Sequence, residues 1–237
     1  MVAFSIKDPK IIFVHIPKSG GTSVSKALQE VYGERILRKK VITKHKGTGK
    51  DQQVMVHAHM SASVIQSAME EDWQKWYSFC MVRNPWSRMV SLWNHIMRDE
   101  KLFTLAYGKT KYNYLPLMLE ERKKSFGDWL KTYNKPAFWV GAYKHGETAK
   151  TAPLVTRQPQ VDWIYNHSGQ KIVTEVFKLE ESDYFVSRMK EQFGIDISFG
   201  HYNLRNHDHY KSYYTDELID LVGEWFRDDI EEFGYEY

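Results

Sequence analysis

Seven consecutive residues, Pro17-Lys18-Ser19-Gly20-Gly21-Thr22-Ser23, carry the parts needed to hold an anion. Glycines let the backbone turn tightly and aim its N–H groups inward, and a helix starting just after them adds its positive end. Thr22 and Ser23 bring hydroxyls that can donate to the same anion. The loop that cradles nucleoside triphosphates reads G-x-x-x-x-G-K-[ST], with the lysine behind the glycines. Here Lys18 precedes them and no lysine directly follows, which disfavours a Walker ATPase or GTPase. A plain glycine turn joining strand to helix is the simpler alternative.

A second constellation begins where an apolar stretch ends. Phe79-Cys80-Met81-Val82 runs into Arg83-Asn84-Pro85-Trp86-Ser87-Arg88, which puts Arg83 at a strand end and Pro85 in the first turn of a helix. On that helix Arg88, Ser91 and His95 share a face at i, i+3 and i+7. An arginine fork with a hydroxyl suits a terminal phosphate, whereas either arginine alone would as readily serve an ion pair. A third group, His57-Ala58-His59, follows the apolar Val54-Met55-Val56. Histidines at i and i+2 of a strand point the same way, and an imidazole titrates near neutrality. The spacing also suits metal ligation, but no third ligand is suggested nearby. A buried, hydrogen-bonded histidine pair is the other alternative.

Taken together, these segments resemble the sulfotransferases that use 3′-phosphoadenosine 5′-phosphosulfate (PAPS). His15 to Ser23 is similar to the family's 5′-phosphosulfate loop, and Val82-Arg83-Asn84-Pro85 through Ser91 to its 3′-phosphate motif. The likeness is greatest to the branch of heparan sulfate 2-O- and chondroitin sulfotransferases. It extends more weakly through Gln160 to Trp163, Phe177 to Glu180, and Asn203 to Tyr214. The resemblance implies that Lys18 contacts the transferring sulfuryl group and its bridging oxygen, while Gly20, Gly21, Thr22 and Ser23 hold the 5′-phosphate, with Ser19 also in the donor-binding loop. Arg83 and Ser91 would bind the 3′-phosphate, and a loop around Asn203, Arg205 and Lys211 would close over the nucleotide. It further implies His59 as catalytic base with His57 in support, although Ala58 stands where the family usually has glycine. Sulfuryl transfer would then run in line through a loose transition state, as phosphoryl transfer does. A sulfuryl group carries less charge than a phosphoryl group, so no metal is expected.

The surrounding elements must deliver these groups. Ile11 to Ile16 reads as a buried strand, Thr22 to Val31 as a helix, Tyr77 to Val82 and Ile172 to Leu179 as further strands, and Asp183 to Phe193 as a helix. A helix is expected from near Ser61 and another through Trp86, Met89, Val90, Trp93 and Met97. Leu218, Leu221, Val222, Trp225, Phe226 and Ile230 form the stripe of one last helix, capped by Thr215 or Asp216. Alternating strands and helices predict an α/β fold, one domain, 1–237, with a central parallel sheet flanked by helices; the resemblance implies that it is the P-loop-like sulfotransferase fold. Residues 35–53 and about 100–170 read as long loops or insertions.

Composition narrows the class. The 237 residues are 42% hydrophobic, 15% aromatic and 27% charged, with a net charge of +3, too small to imply nucleic-acid binding. Arg35 to Lys50 holds seven Lys or Arg and no acid, a solvated loop or a collector of anionic ligands. The single cysteine, Cys80, excludes an internal disulfide and reads as a buried thiol. With no 18-residue apolar run and no signal peptide, a cytoplasmic enzyme is expected. The acceptor would be a hydroxyl, on a carbohydrate or glycolipid by resemblance. Tyr112, Tyr114, Trp129, Tyr133, Phe138, Trp139 and Tyr143 either stack sugar faces or belong to the core. An ATP-dependent small-molecule kinase and a non-catalytic anion- or glycan-binding module are the rival readings.

Overall fold

The computed structural model describes residues 3–5, 9–32, 36–37, 40–44, 51–55, 60–96, 123–131, 158–198 and 209–237. The chain divides into two compact units, one of Met1–Arg83 with Gln160–Asn206 and the other of Asn84–Pro159 with His207–Tyr237.

The first unit is α/β. Strands β1 (Ala3–Ser5), β2 (Ile11–Val14), β3 (Ile36–Leu37), β6 (Tyr77–Val82) and β7 (Glu175–Lys178) form a sheet of order β3-β1-β2-β6-β7. β2, β6 and β7 run parallel, with Phe13 opposite Phe79 and Met81 opposite Phe177, while β1 and β3 add an antiparallel edge. Residues of both parities along β2 and β6 are buried, as strands covered on both faces require. Phe13, Phe79 and Phe177 pack with Val24 and Leu28 of α1 (Gly21–Tyr32) and Phe185 and Met189 of the helix Ser182–Phe193. That later helix ends at Gly194, whose φ of +65° lets its N–H turn back onto the carbonyls of Met189 and Lys190. Helix α2 (Ala62–Met69) starts one residue after Ser61.

Two sequence expectations change here. The strand at Val54 belongs to β5 (Asp51–Met55), which pairs antiparallel with β4 (Lys40–Lys44) in a separate two-stranded sheet, Val41 opposite Val54. The stretch 35–53 therefore carries strands, and the basic run overlaps two of them, β3 and β4.

The second unit is helical. Asn84 caps α3 (Pro85–Ile96): its Oδ1 accepts from the N–H groups of Trp86 and Ser87 at 3.1 and 3.2 Å. Trp86, Met89 and Val90 of α3 pack with Phe126 and Trp129 of α4 (Phe126–Lys131) and Val222 and Phe226 near the C-terminus. The last stripe forms two helices, Asp216–Trp225 and Arg227–Phe233, because Phe226 leaves helical backbone at φ −117° and ψ 31°. No glycine or proline marks that break, and Phe226 itself is fully buried. Neither Thr215 nor Asp216 supplies a side-chain cap; the Thr215 carbonyl takes the N–H groups of Leu218 and Ile219.

Buried phenols give the fold a pH limit. Burial pushes Tyr32 from 10.0 up to about 12 and raises Tyr214 strongly, and Tyr77 is raised by burial and then by its hydrogen bond to Glu175. Each folded-state value lies above the unfolded one, so this stability is complete below ~10 and is lost as pH rises through the folded values. Urea unfolding should show stability declining above pH ~10, and Tyr32→Phe should flatten that decline.

Candidate functional site

β2 ends at Val14, the chain turns over Pro17 to Gly20, and α1 begins at Gly21. The turn depends on two residues in left-handed backbone. Gly20 has φ +78°, and a Cβ there would lie 2.6 Å from Leu179 Cδ1. Lys18 has φ +68° without being glycine. That conformation costs an L-residue about 1–2 kcal/mol, and such strain persists where the surroundings over-determine it, often at functional sites. Gly21 meets a different constraint: a Cβ would fall 2.0 Å from Nε2 of His15, so the imidazole occupies the space any side chain would need.

The Gly20 carbonyl accepts from Ser23 and Val24 at 2.9 and 3.2 Å, closing the first turn of α1. The leading N–H groups of a helix have no intrahelical acceptor, so this turn presents donors and the positive end of the helix. Thr22 is exposed at that end, while Ser23 is buried. Ser19 is fully buried and donates its Oγ hydrogen to Gln160 Oε1 at 2.9 Å. The same Oε1 accepts the Arg83 N–H at 2.8 Å, and Gln160 Nε2 donates to the Arg83 carbonyl at 2.8 Å. The Arg83 guanidinium donates to the Lys18 carbonyl at 3.4 Å. Lys18, Ser19, Gly20, Gly21, Thr22, Ser23 and Arg83, proposed from separate motifs, thus gather within one unit.

The chain matches the sulfotransferase family over residues 3–236. It belongs to the sulfotransferase family. It is therefore an enzyme of sulfuryl transfer, a family whose co-substrate is PAPS. Comparison with curated proteins and with solved structures found no match.

The remaining candidates of this sulfotransferase belong to the helical unit or fall outside the described residues. Ser91 is half-buried on α3 of the helical unit. Arg88, one turn before it, is a core residue: fully buried, it donates to the Gln158 carbonyl at 2.8 Å and packs over the Phe226 ring. Lys211 is exposed, its ammonium donating to the Tyr237 carbonyl at 3.0 Å and lying 4.9 Å from that ring's centre. His57, His59, Asn203 and Arg205 lie outside the described residues. Of the aromatic residues proposed for sugar stacking, Trp129 is fully buried in the core and the others lie outside the described residues. Cys80 is buried as expected, and burial pushes its thiol well above the ordinary range. No helix among the described residues is long and apolar enough to cross a membrane.

Gln160 is the residue the motifs missed. The family likeness reached it without giving it a role, and a lone glutamine has no periodicity or spacing to reveal one.

Substitutions at two glycines separate conformational from steric cost. Gly194→Ala meets no atom within 4 Å and should cost about 1 kcal/mol for its left-handed backbone alone. Gly21→Ala should cost about 1–3 kcal/mol because the His15 ring must move, and His15→Ala should remove most of that penalty in the double variant. Chemical denaturation of the four proteins measures both effects.

Proposed function

We propose that this sulfotransferase transfers a sulfuryl group in line from PAPS to a hydroxyl of a carbohydrate or glycolipid, with a histidine base. The observation that carries the donor reading is the turn at the start of α1, where a left-handed lysine leads into a helix N-terminus braced against Arg83. The helix end and Gly20 to Ser23 would hold the 5′-phosphate. Lys18 would neutralise charge building on the bridging oxygen as the S–O bond breaks. Arg83, with Ser91, would take the 3′-phosphate, which is what separates this donor from ATP.

His59 would accept the acceptor hydroxyl's proton as the new S–O bond forms, with His57 in support. Arg205 and Lys211 would close over the nucleotide, which requires Lys211 to exchange its contact with Tyr237. The scheme needs no metal, since the group transferred carries little charge. Both compact units fall inside the family match, and we read 1–237 as one sulfotransferase domain. The branch that sulfates polysaccharides supplies the acceptor class, by likeness of the His15–Ser23 and Val82–Ser91 motifs.

Thermal unfolding with PAP (the desulfated donor), ADP, or ADP with magnesium tests the donor. At 100 times its dissociation constant a ligand adds ~2.7 kcal/mol, a rise of about 5–10 °C for a chain of this size. PAP alone should produce it; a rise only with ADP and magnesium would overturn the PAPS donor reading and favour the kinase alternative.

The base is tested by turnover. His59→Ala should lower kcat by about 10²–10⁴ while leaving PAP affinity unchanged. Full activity in that variant would remove His59 from the mechanism.

A further inference from the structure

β6 pairs with β7 as far as Val82 opposite Lys178, so the Arg83 peptide groups lie one residue beyond the ladder. A backbone N–H and carbonyl there need partners. The Gln160 carboxamide supplies both, accepting from the Arg83 N–H and donating to its carbonyl, each at 2.8 Å. It behaves as the next peptide group of a strand that is not there. Its oxygen has a second lone pair, and that takes the Ser19 hydroxyl at 2.9 Å. Arg83 then returns to the loop through its guanidinium on the Lys18 carbonyl. The contacts form a closed ring through Ser19, Gln160, Arg83 and Lys18, centred on the strained Lys18–Ser19 step.

Gln160 is itself held firmly. It is fully buried, and its carbonyl accepts from Trp163, whose side chain is also buried. Ile172 bonds back to the Ile164 carbonyl and accepts the Trp73 indole N–H. The carboxamide thus has a rigid base from which to set its two clients.

We propose that Gln160 is a positioning residue for the donor site: it joins the loop that receives the phosphosulfate end to the strand end that presents Arg83, and so sets their separation before the donor arrives. The proposal rests on the PAPS reading above. Glutamine is required for a chemical reason. Glutamate keeps the two acceptor bonds but loses the donor to the Arg83 carbonyl and adds a negative charge beside an anion site. Methionine keeps the length and loses all three bonds.

The test is PAP affinity by calorimetry, with apo melting temperature, for wild type, Ser19→Ala, Gln160→Met, Gln160→Glu and the Ser19→Ala/Gln160→Met double variant. Gln160→Met should weaken PAP by about tenfold or more, and Gln160→Glu further because of its charge. The double variant should bind about as Gln160→Met does, since both changes break the same link. Additive losses would mean that Ser19 meets the phosphate directly, and would overturn the proposal. PAP affinity within about twofold of wild type in Gln160→Met, whatever its melting temperature, would leave the residue a purely structural one. If Gln160→Met does not fold, Ser19→Ala decides, because it leaves the Gln160–Arg83 bonds in place; unchanged PAP affinity there sinks the proposal. Wild type that fails to bind PAP would refute the donor reading itself, and the positioning role with it.

Discussion

Parallel strands covered on both faces create a difficulty at their carboxyl ends, and the site grows out of how this chain meets it. Along β2 and β6 the strands pair with their neighbours, and every side chain but that of Tyr77 is buried. One residue further on, at His15 and Arg83, the ladder stops while the chain is still half-buried. An unsatisfied buried peptide group costs about 1–3 kcal/mol, so each strand exit needs a dedicated partner. β2 leads through the turn at Pro17 to Gly20 into α1, whose first carbonyl acceptor is Gly20. β6 meets the need with the Gln160 carboxamide at Arg83, followed immediately by the Asn84 cap of α3. Both solutions place helix beginnings after strand ends, and helix beginnings are where anions bind.

How much of this could be read from sequence follows from how local each signal is. The turn from strand to helix was legible because paired glycines act within a few residues, and the structure places it between β2 and α1. The helices Gly21–Tyr32 and Ser182–Phe193 were legible from their apolar spacing, to within a residue at each end. β1 and β3, of three and two residues, are too short to show any alternation. β4 was hidden in a polar, basic run whose pairing depends on its partner, and of β5 only the Val54–Met55 end was legible as a strand. The break at Phe226 has no proline or glycine to announce it. Gln160 acts on Ser19 and Arg83 at separations of 141 and 77 residues, which no local pattern encodes. The histidine pair stands on the family likeness and lies outside the described residues.

The strained lysine explains why such long-range bracing is needed. Lys18 and Ser19 are neighbours, yet one serves a half-exposed position and the other a fully buried one bonded to Gln160. The left-handed residue allows that change of direction within a single step. Its cost of about 1–2 kcal/mol is small beside the roughly 7–11 kcal/mol that well-oriented reactants can remove from a barrier. In sulfuryl transfer the protein does little covalent work, so orientation and charge placement are most of what it can contribute. In the role we propose for Lys18, a displacement of about 1 Å would forfeit much of that contribution. The chain could have avoided the strain with a glycine at position 18, but it would then have lost the ammonium. If Lys18 serves as we propose, keeping a cation at the turn while Gln160 ties the neighbouring Ser19 to Arg83 is the consistent physical solution.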